Sequence, residues 1–275
     1  VQEYGTFDWK DVIQPAIEHA EDGFVIRPHV DEFWSASNIM GRMSVGDKLR
    51  EIPATKEIYC DGQGETYPVG SRVKNPGMKQ TLERIRDGGA EIFYSGEIAE
   101  EIAADVAAHN GLLSLNDLKN YKTVRAEPIW GEYRGDKVSC GHPPSGGVMM
   151  LEMLNILEHF DLRSMTHNSA DYITIVAEAM KYATIDKDNK MGDPAFDDVP
   201  VKDFIDRQQA GHYAHMIRSG EKANVIRFGE PEESKDTTHV TVVDEAGNCV
   251  SMTHSLGMPS GVVTQGMGFM YNGCM

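Results

Sequence analysis

Cysteine is scarce in this sequence of 275 residues, which has four: Cys60, Cys140, Cys249 and Cys274. No pair has Cys-x-x-Cys spacing, and no cysteine–histidine group has the spacing of a zinc site, so neither a disulfide framework nor a structural metal is expected. No apolar run reaches the length of a membrane-spanning helix. The fold must therefore rest on a hydrophobic core, and we expect no metal and no other cofactor.

Lys and Arg are also few relative to Asp and Glu. The sequence has 26 Lys and Arg against 43 Asp and Glu, a formal net charge of −17, and the acidic residues are spread along the chain. Phosphate binding needs clustered Lys and Arg, so a nucleic-acid partner is not expected. An anionic membrane surface is disfavoured for the same reason. What remains is a globular protein with a well-solvated acidic surface.

The sequence shows no signal for a cellular compartment. It begins with Val1 rather than methionine and has no signal peptide. We therefore expect it to be an excerpt of a longer gene product, and its localisation stays unknown. Its length allows one large domain or two small ones, and no repeat or flexible linker divides it.

Hydrophobic spacing predicts mainly helices in the first half of the chain. One helix is expected over residues 8–22, opened by Asp8, and another within 31–43. Residues 44–79 are rich in Gly and Pro, which predicts short extended pieces. The clearest helix spans 96–109, because Ile98, Ile102 and Val106 share one face at four-residue spacing.

Further elements follow from caps and turns in the middle of the chain. Ser114, with Asp117 three residues later, predicts the start of a short helix. Residues 130–139 alternate enough to predict one strand. The loop at 141–147 leads into a helix and lacks the Gly-Lys-Ser/Thr of a phosphate-binding loop. Ser169 predicts the start of another helix.

The pattern changes near residue 236. Residues 239–244 are β-branched and apolar, which predicts a strand. Residues 245–248 form a turn signal, and 249–255 predict the returning strand of a hairpin. Thr237 stands just before this hairpin, after a polar, loop-like segment at 231–236.

Thr237 is a candidate nucleophile only under one condition. A threonine hydroxyl needs a base within hydrogen-bond reach, and a free α-amino group, with a pKa of about 7.7–8.0, supplies one when threonine is the chain terminus. Within this sequence the nitrogen of Thr237 is an amide. Activity would require cleavage between Asp236 and Thr237, by attack of the Thr237 hydroxyl on the Asp236 carbonyl and hydrolysis of the ester. Threonine is also common in ordinary strands, so the motif alone leaves both interpretations open.

Five segments together resemble the γ-glutamyltransferase (γ-glutamyltranspeptidase, glutathione hydrolase) family. They occur in the same order as in that family and with similar spacing, and the likeness covers nearly the whole chain. The segments are Phe93–Ala99, Asp117–Tyr121, the Pro-Pro-Ser loop His142–Gly147, the run from Glu178 to Pro194, and Asp236–Asn248.

The resemblance implies an α+β fold, the four-layer αββα sandwich of the N-terminal-nucleophile hydrolases. This chain would hold an incomplete version, helix-rich over residues 1–230 with a β-hairpin near 238–255, as one structural domain. Residues 1–236 would be part of a large subunit and 237–275 the start of a small subunit, both from one precursor. The family also points to a periplasmic or extracellular enzyme.

The family implies acyl transfer through a threonyl acyl-enzyme. The substrate would be a small amide, such as glutathione or another γ-glutamyl compound, and the acceptor water, an amino acid or a peptide. Thr237 matches the nucleophile and, once cleaved, its own α-amino base. Ser255 matches a second hydroxyl residue beside the nucleophile. The alternative is that Ser255 is only a polar residue at the end of a strand. Thr238 and His239 are near enough to serve the site, but direct catalysis by His239 is not expected.

Departures from the family pattern keep the substrate open. Gly257 stands where the family has an asparagine that contacts the amino-acid end of the glutamate, and Cys274 stands for a similar Gln or Glu. The family's arginine for the substrate carboxylate would precede Val1. Its aspartate, paired serines and Gly-Gly oxyanion hole would follow Met275. Two alternatives therefore stand beside a γ-glutamyltransferase: an acylase for another amide side chain, and a catalytically inactive fragment that serves as an interaction module.

Overall fold

A computed structural model describes residues 1, 3–36, 43–226, 237–257 and 259–273. The helices in these ranges are α1 (Trp9–Asp22), α2 (Pro28–Ser35), α3 (Val45–Glu51), α4 (Pro53–Tyr59), α5 (Pro76–Tyr94), α6 (Glu97–Ala108), α7 (Leu115–Asn120), α8 (Gly147–Leu157), α9 (Ala170–Lys190), α10 (Val201–Phe204) and α11 (Arg207–Arg218). The strands are β1 (Phe24–Val25), β2 (Arg72–Val73), β3 (Ile129–Tyr133), β4 (Asp136–Cys140), β5 (Thr238–Val243), β6 (Cys249–His254), β7 (Pro259–Val263) and β8 (Met270–Asn272). The predicted α+β class is confirmed.

The described strands pair antiparallel, two by two, in chain order. The chain divides into two compact units, the first formed by residues 1–122 and 231–275 and the second by residues 123–230. This division does not concern the subunit boundary predicted between residues 236 and 237, which stays a prediction. The expectation that the chain forms one structural domain also stays a prediction. In the described ranges, no helix combines the length and apolar character needed to cross a membrane.

Helix capping explains why several predicted helices of the first unit are confirmed. The Asp8 side chain accepts the Lys10 N–H at the start of α1. Ser114 and Asp117 form a reciprocal capping box at the start of α7, which satisfies backbone N–H groups that have no partner inside the helix. The apolar face of α6 is buried, with Ile98 and Ile102 almost fully shielded from solvent.

The prediction for residues 44–79 was right only in part: β2 is a short extended piece there, but α3, α4 and the start of α5 lie in the same range. The prolines begin helices rather than interrupt them: Pro53 and Pro76 occupy the first turn, where a missing N–H costs nothing. Ser44 caps α3 by accepting the Asp47 N–H. The helix predicted within 31–43 is displaced, since α2 ends at Ser35 and residues 37–42 lie outside the described ranges.

The second unit corrects one strand and confirms two helices. The single strand predicted over 130–139 is the hairpin β3–β4, which turns at Arg134 and Gly135. Their φ values are 53° and 90°, and a two-residue turn of type I′ has positive φ at both positions. Arginine is not a residue that signals such a turn. Helices α8 and α9 begin as predicted, and the Ser169 side chain accepts the Tyr172 N–H.

The segment after the β5–β6 hairpin is tied to the helices of the first unit by buried hydroxyl groups. Thr55 Oγ1 donates to the Gly261 carbonyl at 2.6 Å, and Thr81 Oγ1 donates to the Met267 carbonyl at 2.8 Å. Met267 itself is 1% exposed and packs with Ile98 and Ile102. These contacts fix the chain that continues directly from the hairpin.

Candidate functional site

The hairpin β5–β6 is confirmed, with a register that pairs Thr238 with His254 at one end and Val243 with Cys249 at the other. Its loop is held by Asp244, whose carboxylate accepts the backbone N–H and the side-chain amide of Asn248, both at 2.8 Å. These hydrogen bonds lower the pKa of the Asp244 carboxyl below its usual value. Every strand residue is exposed.

At the open end of this hairpin, Thr237 and Ser255 continue the strand register. Thr237 Oγ1 lies 3.0 Å from Ser255 Oγ, so the two hydroxyls are hydrogen-bonded, and either can be the donor. The Gly257 N–H donates to Ser255 Oγ at 2.9 Å. Because that bond occupies one lone pair of Ser255, its hydroxyl still has a proton and a second lone pair for Thr237. Both hydroxyl residues are exposed.

The strand alternation puts His239 on the same face as Thr237. His239 Nδ1 lies 2.8 Å from Thr253 Oγ1, while Nε2 lies 3.0 Å from Ser251 Oγ and 3.1 Å from Thr241 Oγ1. The imidazole is thus held by three hydroxyl groups farther along the face. Sequence reasoning did not identify this row, although the period of two and the register contain the signal.

Of the other predicted site residues, the structure describes Gly257 but not Asp236 or Cys274. Gly257 lies two residues beyond Ser255, with a φ of 65°. Asp236 and Cys274 lie outside the described residues. Within the described part of the chain, no group of three or more His, Cys, Asp or Glu residues is arranged to hold a metal ion.

The whole length of the chain, residues 1–275, matches the sequence model of the family described as Gamma-glutamyltranspeptidase. The chain belongs to this family. Its fold is accordingly the α+β fold of N-terminal-nucleophile hydrolases, as predicted, and the family is one of enzymes.

Two relatives show the breadth of this gamma-glutamyltranspeptidase family. The glutathione hydrolase proenzyme of Escherichia coli (strain K12) is 35% identical over 282 residues, which cover 100% of this chain and 47% of the relative. The acylase ACY 1 proenzyme of Pseudomonas sp. (strain SE83) is 35% identical over 275 residues, covering 99% and 48%. The chain therefore spans about half the length of the curated relatives it matches.

A solved structure gives the same picture of the fold. The cephalosporin acylase from Bacillus halodurans superposes with a TM-score of 0.80 at 27% sequence identity, over 98% of this chain and 49% of the acylase. A gamma-glutamyltranspeptidase-family chain can thus share its fold with an enzyme named for a different amide.

Proposed function

We propose that this chain carries the nucleophile of an amide-cleaving acyltransferase or hydrolase, and that Thr237 becomes that nucleophile when the bond before it is cut. The observation that carries the proposal is the 3.0 Å contact between Thr237 Oγ1 and Ser255 Oγ at the open end of an exposed hairpin. Family membership and the word proenzyme in the names of both relatives support it.

Processing begins on the peptide bond between Asp236 and Thr237. The Thr237 hydroxyl adds to the Asp236 carbonyl carbon, the C–N bond breaks, and the nitrogen takes a proton to become a free α-amino group. The resulting ester is hydrolysed by water, which leaves a carboxylate on Asp236 and restores the Thr237 hydroxyl. The products are a large subunit and a small subunit from one precursor.

Turnover then uses the new terminus twice. The α-amino group of Thr237 accepts the proton of its own hydroxyl while the oxygen attacks the substrate amide. The protonated amine next gives that proton to the leaving nitrogen, and a threonyl ester remains. Water or an amino compound attacks this ester, which releases the acyl group and regenerates the hydroxyl. A free α-amino group, with a pKa of about 7.7–8.0, suits both directions of transfer near neutral pH.

Ser255 would orient the Thr237 hydroxyl for attack. Replacing Ser255 with alanine should slow both processing and turnover by about tenfold to a hundredfold, the range for losing a hydrogen bond to a group that becomes charged. Replacing it with threonine keeps the hydroxyl and should restore most of the rate. Rates of subunit formation and of substrate hydrolysis would measure the effect. If the alanine and threonine variants lose the same amount of activity, the hydroxyl of residue 255 has no part in the mechanism.

The proposed substrate is a γ-glutamyl compound such as glutathione, with water, an amino acid or a peptide as acceptor. An acylase acting on another amide is the second candidate, favoured by the missing side chain at Gly257 and by the acylase relatives. Release of an aniline from a γ-glutamyl anilide by the processed full-length protein would support the first candidate. Turnover of other acyl amides without that release would support the second.

Residue 257 offers a sharper test of substrate choice. Asparagine tolerates a φ near 65°, so Gly257→Asn should fold and offer an amide to the amino-acid end of a glutamyl group. We expect γ-glutamyl anilide hydrolysis to rise about tenfold relative to that of other acyl amides, the value of one or two hydrogen bonds. Gly247→Asn, at a loop position with a φ of 83°, is the matched control and should leave the ratio unchanged.

Mass analysis of the full-length protein tests the proposal as a whole. We expect two pieces that meet between residues 236 and 237, with Thr237 as a new amino terminus on sequencing. A polypeptide that stays whole and turns over no amide would instead favour the interaction module, whose fold is retained without catalysis.

A further inference from the structure

The second unit contains a buried carboxyl group that the proposed chemistry does not use. Glu152, on α8, is 2% exposed. Among the described residues, no backbone, hydroxyl or cationic group donates a hydrogen bond to either of its carboxyl oxygens, and its polar neighbour is the Asp186 carboxyl. An ionised carboxylate left in that state would be strongly destabilising, so the group must either find a partner or carry a proton.

The groups that face Glu152 come from the neighbouring helices. Helix α9 presents Asp186 and Lys190, and α11 presents Tyr213, whose interaction with Glu152 and Asp186 is part of what raises the Tyr213 pKa after burial. Helix α10 also lies against α8, where the apolar ring of Phe204 packs with Val148 and Leu151.

Asp186 is the carboxyl with partners. It is 5% exposed, and its Oδ2 accepts the Tyr213 hydroxyl at 2.9 Å and lies 3.2 Å from Lys190 Nζ. One hydrogen-bond donor and one cation stabilise its ionised form. Glu152 has no such donor and no ion pair: the Lys190 charge favours its ionised form only weakly, and it sits against this second negative charge. Of the two acids, Glu152 is therefore the one that takes up a proton.

We infer that Glu152 and Asp186 hold a single proton between α8 and α9 at neutral pH, and that losing it in alkaline solution loosens the packing of the second unit. This makes the pair a proton-dependent clasp between two helices. Ionisation of Glu152 would put two carboxylates side by side in the core, with Lys190 as the cation close to both.

The titration of Glu152 fixes the direction and range of the effect. Burial, followed by the Asp186 carboxyl, raises its pKa from its usual value of 4.5 to about 9. Below pH 4.5 both folded and unfolded chains hold the proton. Between these two values the folded chain keeps a proton that the unfolded chain has released, so stability falls steadily as pH rises.

Thermal unfolding of the full-length protein at a series of pH values tests this clasp. We expect the unfolding midpoint of the second unit to fall by roughly 10–15 °C between about pH 6.5 and about pH 9, from the change in unfolding free energy per pH unit that a difference of one bound proton gives. Glu152→Gln keeps the shape and cannot ionise, so its midpoint should stay level over this range and exceed that of the unchanged protein at the alkaline end. Asp188→Asn, on the exposed side of α9, is the matched control and should keep the full slope.

Infrared spectroscopy of the unchanged protein provides a second measurement that does not depend on how the variant folds. A protonated carboxyl stretch should be present at neutral pH and vanish as the solution passes about pH 9. A midpoint that does not move with pH, the same slope in Glu152→Gln, or no protonated carboxyl at neutral pH would each overturn the inference.

Discussion

Replacing Thr237 with alanine should leave the full-length protein as one uncut polypeptide, with amide turnover reduced by on the order of a thousandfold or more. The variant loses the atom that attacks the Asp236 carbonyl, and it therefore never gains the α-amino group that serves as the base. One substitution thus removes nucleophile and base together. Intact-mass analysis and a hydrolysis assay on the same sample would measure both losses.

Two companion variants separate chemistry from folding. Thr237→Ser keeps a hydroxyl and should still be cut. Thr238→Ala changes the next residue, which pairs with His254 and points to the opposite face of the hairpin, and it should be processed normally. If Thr237→Ala is cut as fast as the unchanged protein, another residue is the nucleophile.

Replacing Gly268 with alanine should destabilise the first unit by at least about 3 kcal/mol, through backbone strain and overpacking together. Gly268 has a φ of 76°, and an added Cβ would collide with the Met78 nitrogen and the Asn75 Oδ1 atom at the start of α5. The Asn75 side chain also donates to the Gly268 carbonyl at 2.7 Å, so the collision would break a hydrogen bond that the wild-type chain makes.

Gly266 offers a matched control two residues earlier. Its φ is 80°, yet a Cβ there would meet nothing within 4 Å. Gly266→Ala should therefore cost only about 1 kcal/mol, the strain of the left-handed conformation alone. Denaturant unfolding of both variants would measure the difference; similar losses would mean that the close approach to α5 is unimportant.

Local signals in the sequence predicted the elements closest to the candidate site. The β-branched run of β5 and the turn before Cys249 define a hairpin without help from distant residues, and the register follows from the turn. The caps at Asp8, Ser114 and Ser169 were equally local, because each side chain bonds a backbone N–H two or three residues away.

The features that could not be predicted from the sequence are contacts between residues far apart in the chain and residues, such as proline, that occur in more than one kind of element. Proline occurs both where elements end and in the first turn of helices. Pro53 and Pro76 therefore counted toward extended structure in the prediction, although they begin α4 and α5. Thr55 and Gly261 are 206 positions apart, and no local pattern predicts that they bond. The hydroxyl row around His239 needed the exact register, since a slip of one residue would put these side chains on opposite faces.

The register of the β5–β6 hairpin also sets what kind of change the gene can tolerate. Thr237 and Ser255 meet because the chain turns back over residues 244–248 with a fixed number of positions. Apart from Asp244, Gly247 and Asn248, a substitution in this loop would leave the pairing unchanged, whereas one codon added or removed there would shift the pairing by a residue and separate the two hydroxyls. We therefore expect this loop to tolerate substitutions more readily than insertions or deletions.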